Sequence, residues 1–143
     1  MATLSNPTLT IDPLTGSTHR VTATVRVQFT PEELSDINRP PVERPGVSVV
    51  LKSNLWGSDL NERRDEGEDD LLLSFPNRNI TRSAVYTFST VVSTGLLNED
   101  SRFRDLDEIF NKFSLVSSSP SEIPDRNRNT PIITGYYGSS RWV

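Results

Sequence analysis

Apolar and polar residues alternate with period two along most of this chain. The clearest run is 18–30, where Val21, Ala23, Val25, Val27 and Phe29 interleave with Thr22, Thr24, Arg26 and Gln28. An extended backbone points successive side chains to opposite faces, so this pattern predicts a strand with one buried face. Its β-branched content suits a pleated surface. Pro31 ends it, because proline cannot donate to a ladder. A shorter strand over 8–11 precedes it, with turn chemistry in Asp12-Pro13-Leu14-Thr15-Gly16.

Further alternations predict strands over 47–56, 70–75, 83–93, 108–116 and 132–137. Val47, Val49, Leu51 and Leu55 share one face of the third strand. Val50 and Trp56 lie on the other, which predicts a strand covered on both sides. Leu71, Leu73 and Phe75 are expected to face inward in the fourth. In the fifth, Ala84, Tyr86, Phe88 and Val92 oppose Thr87 and Ser89. Phe103, Leu106, Phe110 and Phe113 also fit helical spacing, so one short helical turn or helix near 100–112 competes with the strand there. Residues 31–45 read as a linker in which Pro31-Glu32-Glu33-Leu34 opens at most one helical turn, since Pro40, Pro41 and Pro45 forbid more. A polar loop spans 117–131, and 138–143 form a C-terminal tail. About seven short strands separated by turn signals predict an all-β fold. It is a single antiparallel β-sandwich filling 1–143, immunoglobulin-like or C2-like in outline.

Composition changes this picture in one respect. The chain has 143 residues, 34% of them hydrophobic, and 32 are Ser or Thr. Many of those hydroxyls fall on the alternate, outward positions of strands, as at Thr22, Thr24, Thr87 and Ser89. A core one layer thick needs only every second residue to be apolar, so the low apolar share is what a sandwich requires. With no Cys and one His, disulfide frameworks, thiol nucleophiles and Cys-held metals are ruled out. The single His19 begins a strand beside Arg20 and reads as a surface residue. No G-x-S-x-G sequence offers it a serine partner for a triad. No P-loop or G-x-G-x-x-G occurs. Carboxylates are plentiful, but a small sandwich leaves little room for the cleft that a two-carboxylate glycosidase needs. The expectation is a protein that is not an enzyme.

Charge is uneven. The formal net charge is −4, which opposes nucleic-acid binding. If successive strands reverse direction, loops 12–17, 57–70 and 94–108 share one end. The 57–70 loop has seven acids and two arginines, 94–108 has five acids and two arginines, and Asp12 adds one more, a net −9. The loops at the other end sum to zero, and the strands and tail carry five positive charges. Crowded carboxylates need neutralising. Arg63, Arg64, Arg102 and Arg104 within the same loops are one source. A basic surface on another subunit is a second. The third is Ca²⁺, a hard cation taking several oxygens, with Asp59, Asp65, Glu68, Asp69, Glu99, Asp100, Asp105 and Asp107 as candidate ligands. These residues do not follow EF-hand spacing. No other cofactor is expected.

The tail supplies candidate partner-binding residues in Tyr136, Tyr137, Arg141 and Trp142, of the types that dominate interface hot spots. Among the 15 basic residues 13 are Arg, the type enriched in interface cores. The function expected is a non-enzymatic structural or interaction subunit, partnered by other protein subunits or copies of itself. The alternative is a Ca²⁺-dependent module binding glycan, lipid headgroup or protein. No apolar run is long enough to span a bilayer, and no signal-like start occurs. A cytoplasmic protein fits, as does one exported by a signal-independent route as part of an assembly.

Overall fold

A computed structural model describes residues 1–14, 16–40, 46–57, 70–97 and 107–135. They form two antiparallel sheets with two short helices, an all-β sandwich. In chain order the elements are β1 (Thr3–Pro13), β2 (Thr18–Gln28), α1 (Pro31–Ile37), β3 (Val49–Gly57), β4 (Asp70–Ser74), β5 (Arg78–Asn79), β6 (Ala84–Ser93), α2 (Thr94–Leu97), β7 (Asp107–Ser117), β8 (Arg126–Asn129) and β9 (Ile133–Gly135).

The first sheet has the order β1-β2-β6. The second has β4-β3-β7-β8, with β5 also paired to β3 and β9 to β7. Alternation decides what each strand buries. Val21, Ala23, Val25 and Val27 of β2 lie against Val49, Leu51 and Leu55 of β3 and Ile109, Phe113 and Leu115 of β7 in one core. Each Val, Leu, Ile or Phe side chain among them contributes about 1.5–3 kcal/mol on burial. Phe88 joins the layers, its ring centroid 5.7 Å from Phe75 and 6.2 Å from Phe113. Leu97 of α2 and Ile123 of the turn after β7 are fully buried.

Several expectations shift. The first strand begins at Thr3, because an irregularity between Ser5 and Thr8 lets the ladder continue, with Asn6 at φ 50°. The linker contains seven helical residues. Thr30 caps the first turn, Glu33 closes the capping box, and Pro31 sits where its missing N–H costs nothing. β7 is the strand expected over 108–116, so from Asp107 onward the competing helix near 100–112 does not form. The helical segments are instead 31–37 and 94–97, while 98–106 lie outside the described residues. The polar loop contains β8, and β5 adds a two-residue bridge. Leu71 does not face inward: it is 52% exposed and pairs with Trp56, because the β3–β4 register shifts between Leu55 and Trp56. One extra residue in a ladder moves side chains to the other face. His19 is not on the surface either. It is 8% exposed, in line with Val21 and Ala23, and its Nδ1 lies 3.2 Å from Thr94 Oγ1.

Candidate functional site

The strand ends decide where the charged segments depart. Gly57 pairs with Asp70 across one ladder and with Ile109 across the other. Asp107 pairs with Gly135. In the first sheet Thr18 pairs with Ser93, and the Thr94 N–H donates to the Ser17 carbonyl at 2.7 Å. The opposite ends of the two sheets are tied by the short passage from β5 to β6: the Ile80 N–H donates to the Val49 carbonyl at 3.0 Å, and the Phe29 N–H to Ser83 Oγ at 2.8 Å. The residues flanking 12–17, 58–69 and 98–106 therefore meet at one end, the grouping that strand parity predicts. Residue 135, from which the tail continues, belongs to that same end.

The acids themselves lie mostly beyond description. Asp59, Asp65, Glu68, Asp69, Glu99, Asp100 and Asp105 fall outside the described residues, as do Tyr136, Tyr137, Arg141 and Trp142. Asp107 is described only as the first residue of β7. Among the described residues no three His, Cys, Asp or Glu side chains gather as a metal site.

At the opposite end charge is settled within the chain. Arg39 Nη2 lies 3.0 Å from both Asp36 Oδ1 and Glu122 Oε1. The hydrogen bond to Asp36, aided by the one to Glu122, holds its guanidinium pKa above the ordinary arginine value, against the opposing pull of burial. An open cleft of about 290 Å³ lies alongside, lined by Ile37, Arg39, Gly46, Val49, Asn79 and Thr81. Its one charged side chain is Arg39, already bound on two sides.

The outer face of the first sheet is a grid of hydroxyls. Register places Thr8, Thr24 and Thr87 in one row and Thr10, Thr22 and Ser89 in the next. Exposed Arg20 and Arg26 flank these rows, in line with Val91 and Val85. Arg20 Nη1 reaches Ser89 Oγ at 3.5 Å. The outer face of the second sheet carries half-buried Trp56 directly opposite buried Phe110. This agrees with the expected two-sided cover of β3, and Trp56 Nε1 is buried with no hydrogen-bond partner.

Three residues escaped sequence reasoning. Glu33 is buried, and its carboxylate accepts 2.9 Å hydrogen bonds from the Ala2 and Thr30 N–H groups. The spacing Thr30-x-x-Glu33 before an apolar residue is the readable signal for it. Ser53 and Asn111 form a buried polar pair inside the core. Parity places Asn111 among Ile109, Phe113 and Leu115, so its burial was also readable.

No protein-family model matches the chain, and no curated protein matches it. Solved structures match it at low similarity. A GH3 β-glucosidase from Bifidobacterium adolescentis has a TM-score of 0.40 and 11% identity, covering 100% of this chain and 19% of that one. β-Glucosidase 3B from Thermotoga neapolitana, in complex with glucose, has a TM-score of 0.39 and 8% identity, covering 95% and 17%. The putative ApaA protein from Bordetella pertussis has a TM-score of 0.37 and 10% identity, covering 98% and 96%. This chain thus spans under a fifth of either glucosidase. None of the three likenesses carries a family or an activity over to it.

Proposed function

We propose that this protein is a non-enzymatic interaction subunit of a larger homo- or hetero-oligomeric assembly. One observation supports the reading: the strand ends gather the flanks of the acid-rich segments at one end of the sandwich. Segment 58–69 has six acids and two arginines, and 98–106 has three and two, so by sequence both segments carry an excess of negative charge. Arg39 meets Asp36 and Glu122 at the other end, whereas Arg26, and Arg20 opposite Asp12, stand exposed on the first sheet. A heterologous contact joins the acidic end of one copy to a basic face of the next, and such contacts build rings or filaments. Trp142 and Arg141 on the tail, with Tyr136 and Tyr137, are the proposed hot spots.

Sedimentation equilibrium over a range of concentrations tests this. The expected result is association that grows with concentration and weakens as salt screens the charges. A monomer at high concentration and low salt, in the presence and absence of the tail, overturns the homo-oligomeric form. A melting temperature raised by millimolar Ca²⁺ with no change in mass favours the Ca²⁺-dependent module at the same end instead.

A further inference from the structure

An unpaired strand edge is a template for another strand, and folded proteins normally blunt it. Three edges of this sandwich are blunted. β1 is interrupted at Ser5–Thr8 and contains Pro7 and Pro13. β4 has five residues and opens on Asp70. β8 has four, including Arg126 and Arg128. β6 differs from all of them. It is ten residues long, ends its sheet among the described residues, and holds one uninterrupted register with β2 from Ala84 to Ser93. It contains no proline and no charge.

The direction of its free groups can be assigned. Arg78 Nη2 donates to the Thr87 carbonyl while its guanidinium carbon sits 4.5 Å above the Phe88 ring. Arg78 comes from β5 in the other sheet, so the Thr87 carbonyl points away from β2. The N–H and C=O of one residue in an antiparallel strand point the same way. Val85, Thr87, Ser89 and Val91 therefore present their backbone groups outward, and the intervening residues bond β2. The side chains of those four residues are all exposed, Val85 by 59% and Val91 by 46%.

We infer that β6 is a self-association edge, and that two copies of this chain pair antiparallel, β6 to β6, about a two-fold axis at Phe88. The inference rests on the assembly-subunit reading and names one of its surfaces. A two-fold at Phe88 sets Val85 against Val91 and Thr87 against Ser89 of the second copy, and the reverse. Outward-facing residues thus meet outward-facing residues, as hydrogen-bonded pairs require, and the ladder holds up to about eight bonds. Valine meets valine at both ends, a favourable cross-strand pairing. The β8 edge is not self-complementary, since it would set Arg126 and Arg128 near their own copies. In the β6 pair, where Arg78 of each copy lies beside the axis, the like charges carried on the strands themselves, Arg20 and Arg26 of the second copy, stand three strand spacings apart. That is about 14 Å, beyond the screening length at physiological salt. Arg78 is the guard on this edge, because it must leave the Thr87 carbonyl before a second strand can take it.

Sedimentation equilibrium of the full chain, up to millimolar concentration and at low and high salt, tests the edge. The expected wild-type behaviour is a monomer–dimer equilibrium that persists at high salt, since β6 itself carries no charge and salt screens the two Arg78 side chains beside the axis. Thr87→Pro removes an outward N–H that β2 does not use, and the two-fold axis doubles the loss. Dimerisation should weaken by about tenfold or more with the melting temperature unchanged. Val85→Lys should weaken it as well, and provides the answer should the proline variant unfold. Arg78→Ala should raise the dimer fraction. A dimer retained by both Thr87→Pro and Val85→Lys overturns the edge, as does a wild type that never dimerises at high salt. Association that vanishes with salt and ignores Thr87→Pro refutes the edge while leaving the acidic-end reading intact. A salt-resistant dimer lost in Thr87→Pro, with no larger species, upholds the edge and refutes the head-to-tail contact.

Discussion

Removing the hydroxyl of Ser53 should destabilise the protein far more than one exposed serine would, and a second substitution should restore what is lost. Asn111 has no exposure and lies on the core face of β7. Its Nδ2 is 2.9 Å from Ser53 Oγ, itself fully buried, while its Oδ1 is buried with no partner. The amide oxygen and nitrogen can exchange places, but whichever faces Ser53, the other half goes unsatisfied. Ser53→Ala strips the remaining side-chain bond, at a cost of about 1–3 kcal/mol for a buried polar group with no partner. Asn111→Leu alone replaces the amide by an apolar group of similar volume and orphans only the Ser53 hydroxyl. The double variant removes both polar partners from an apolar site, so it should be close to neutral or more stable than wild type. The two changes should therefore couple by about 1 kcal/mol or more, well above the 0.3–0.5 kcal/mol scatter of independent sites. Urea unfolding followed by tryptophan fluorescence reads all four corners of the cycle, with equal m-values as the control. Additive effects within that scatter, or a neutral Ser53→Ala, would refute the reasoning.

Three further outcomes are expected. Glu33→Ala deletes the acceptor of the Ala2 and Thr30 N–H groups and should cost about 3–6 kcal/mol, as two charge-assisted bonds imply. Glu33→Gln, which keeps one acceptor oxygen, should fall between, and equal stability of all three proteins in urea would disprove the clamp. Gly46→Ala places a Cβ 2.7 Å from the Ile37 carbonyl oxygen, so α1 must shift. A loss of about 1–3 kcal/mol is expected, and an unchanged melting temperature would count against that close approach. Burial raises the Tyr86 hydroxyl pKa above its ordinary 10.0, against the opposing influence of Arg82 and Arg78. Below pH 10 both folded and unfolded chains hold this proton. Above it the unfolded chain loses the proton first, so stability should fall as pH rises from about 10 towards the folded-state pKa. Tyr86→Phe should remove that alkaline limb from a series of melts, and a limb of unchanged size would exclude Tyr86 as its source.

The sandwich was legible because period two is a local property. In β2, β3, β6 and β7 each residue's face follows from its parity, and Val21, Leu51, Phe88 and Phe113 are buried as parity requires. Parity also places His19 inside, in line with Val21 and Ala23, although a lone histidine at a strand end is ordinarily exposed. β5 and β8 were hidden because neither has an alternation to see: Arg78-Asn79 and the run Arg126–Asn129 are polar throughout and pair only because β3 and β7 present free edges to them. Leu71 was misplaced because a register irregularity depends on two strands and is written in neither.

The candidate site divides in the same way. The sequence alone determined the strand faces, the hydroxyl-rich exterior and the excess of acid in two segments, since each depends on residue type and position along one chain. Tertiary structure decided that those segments leave from one end, that Glu33 and Asn111 are enclosed, and that β6 stands as an open edge guarded by an arginine from the other sheet. Which strand lies beside which is settled by contacts between residues far apart in sequence, and no local pattern carries that information.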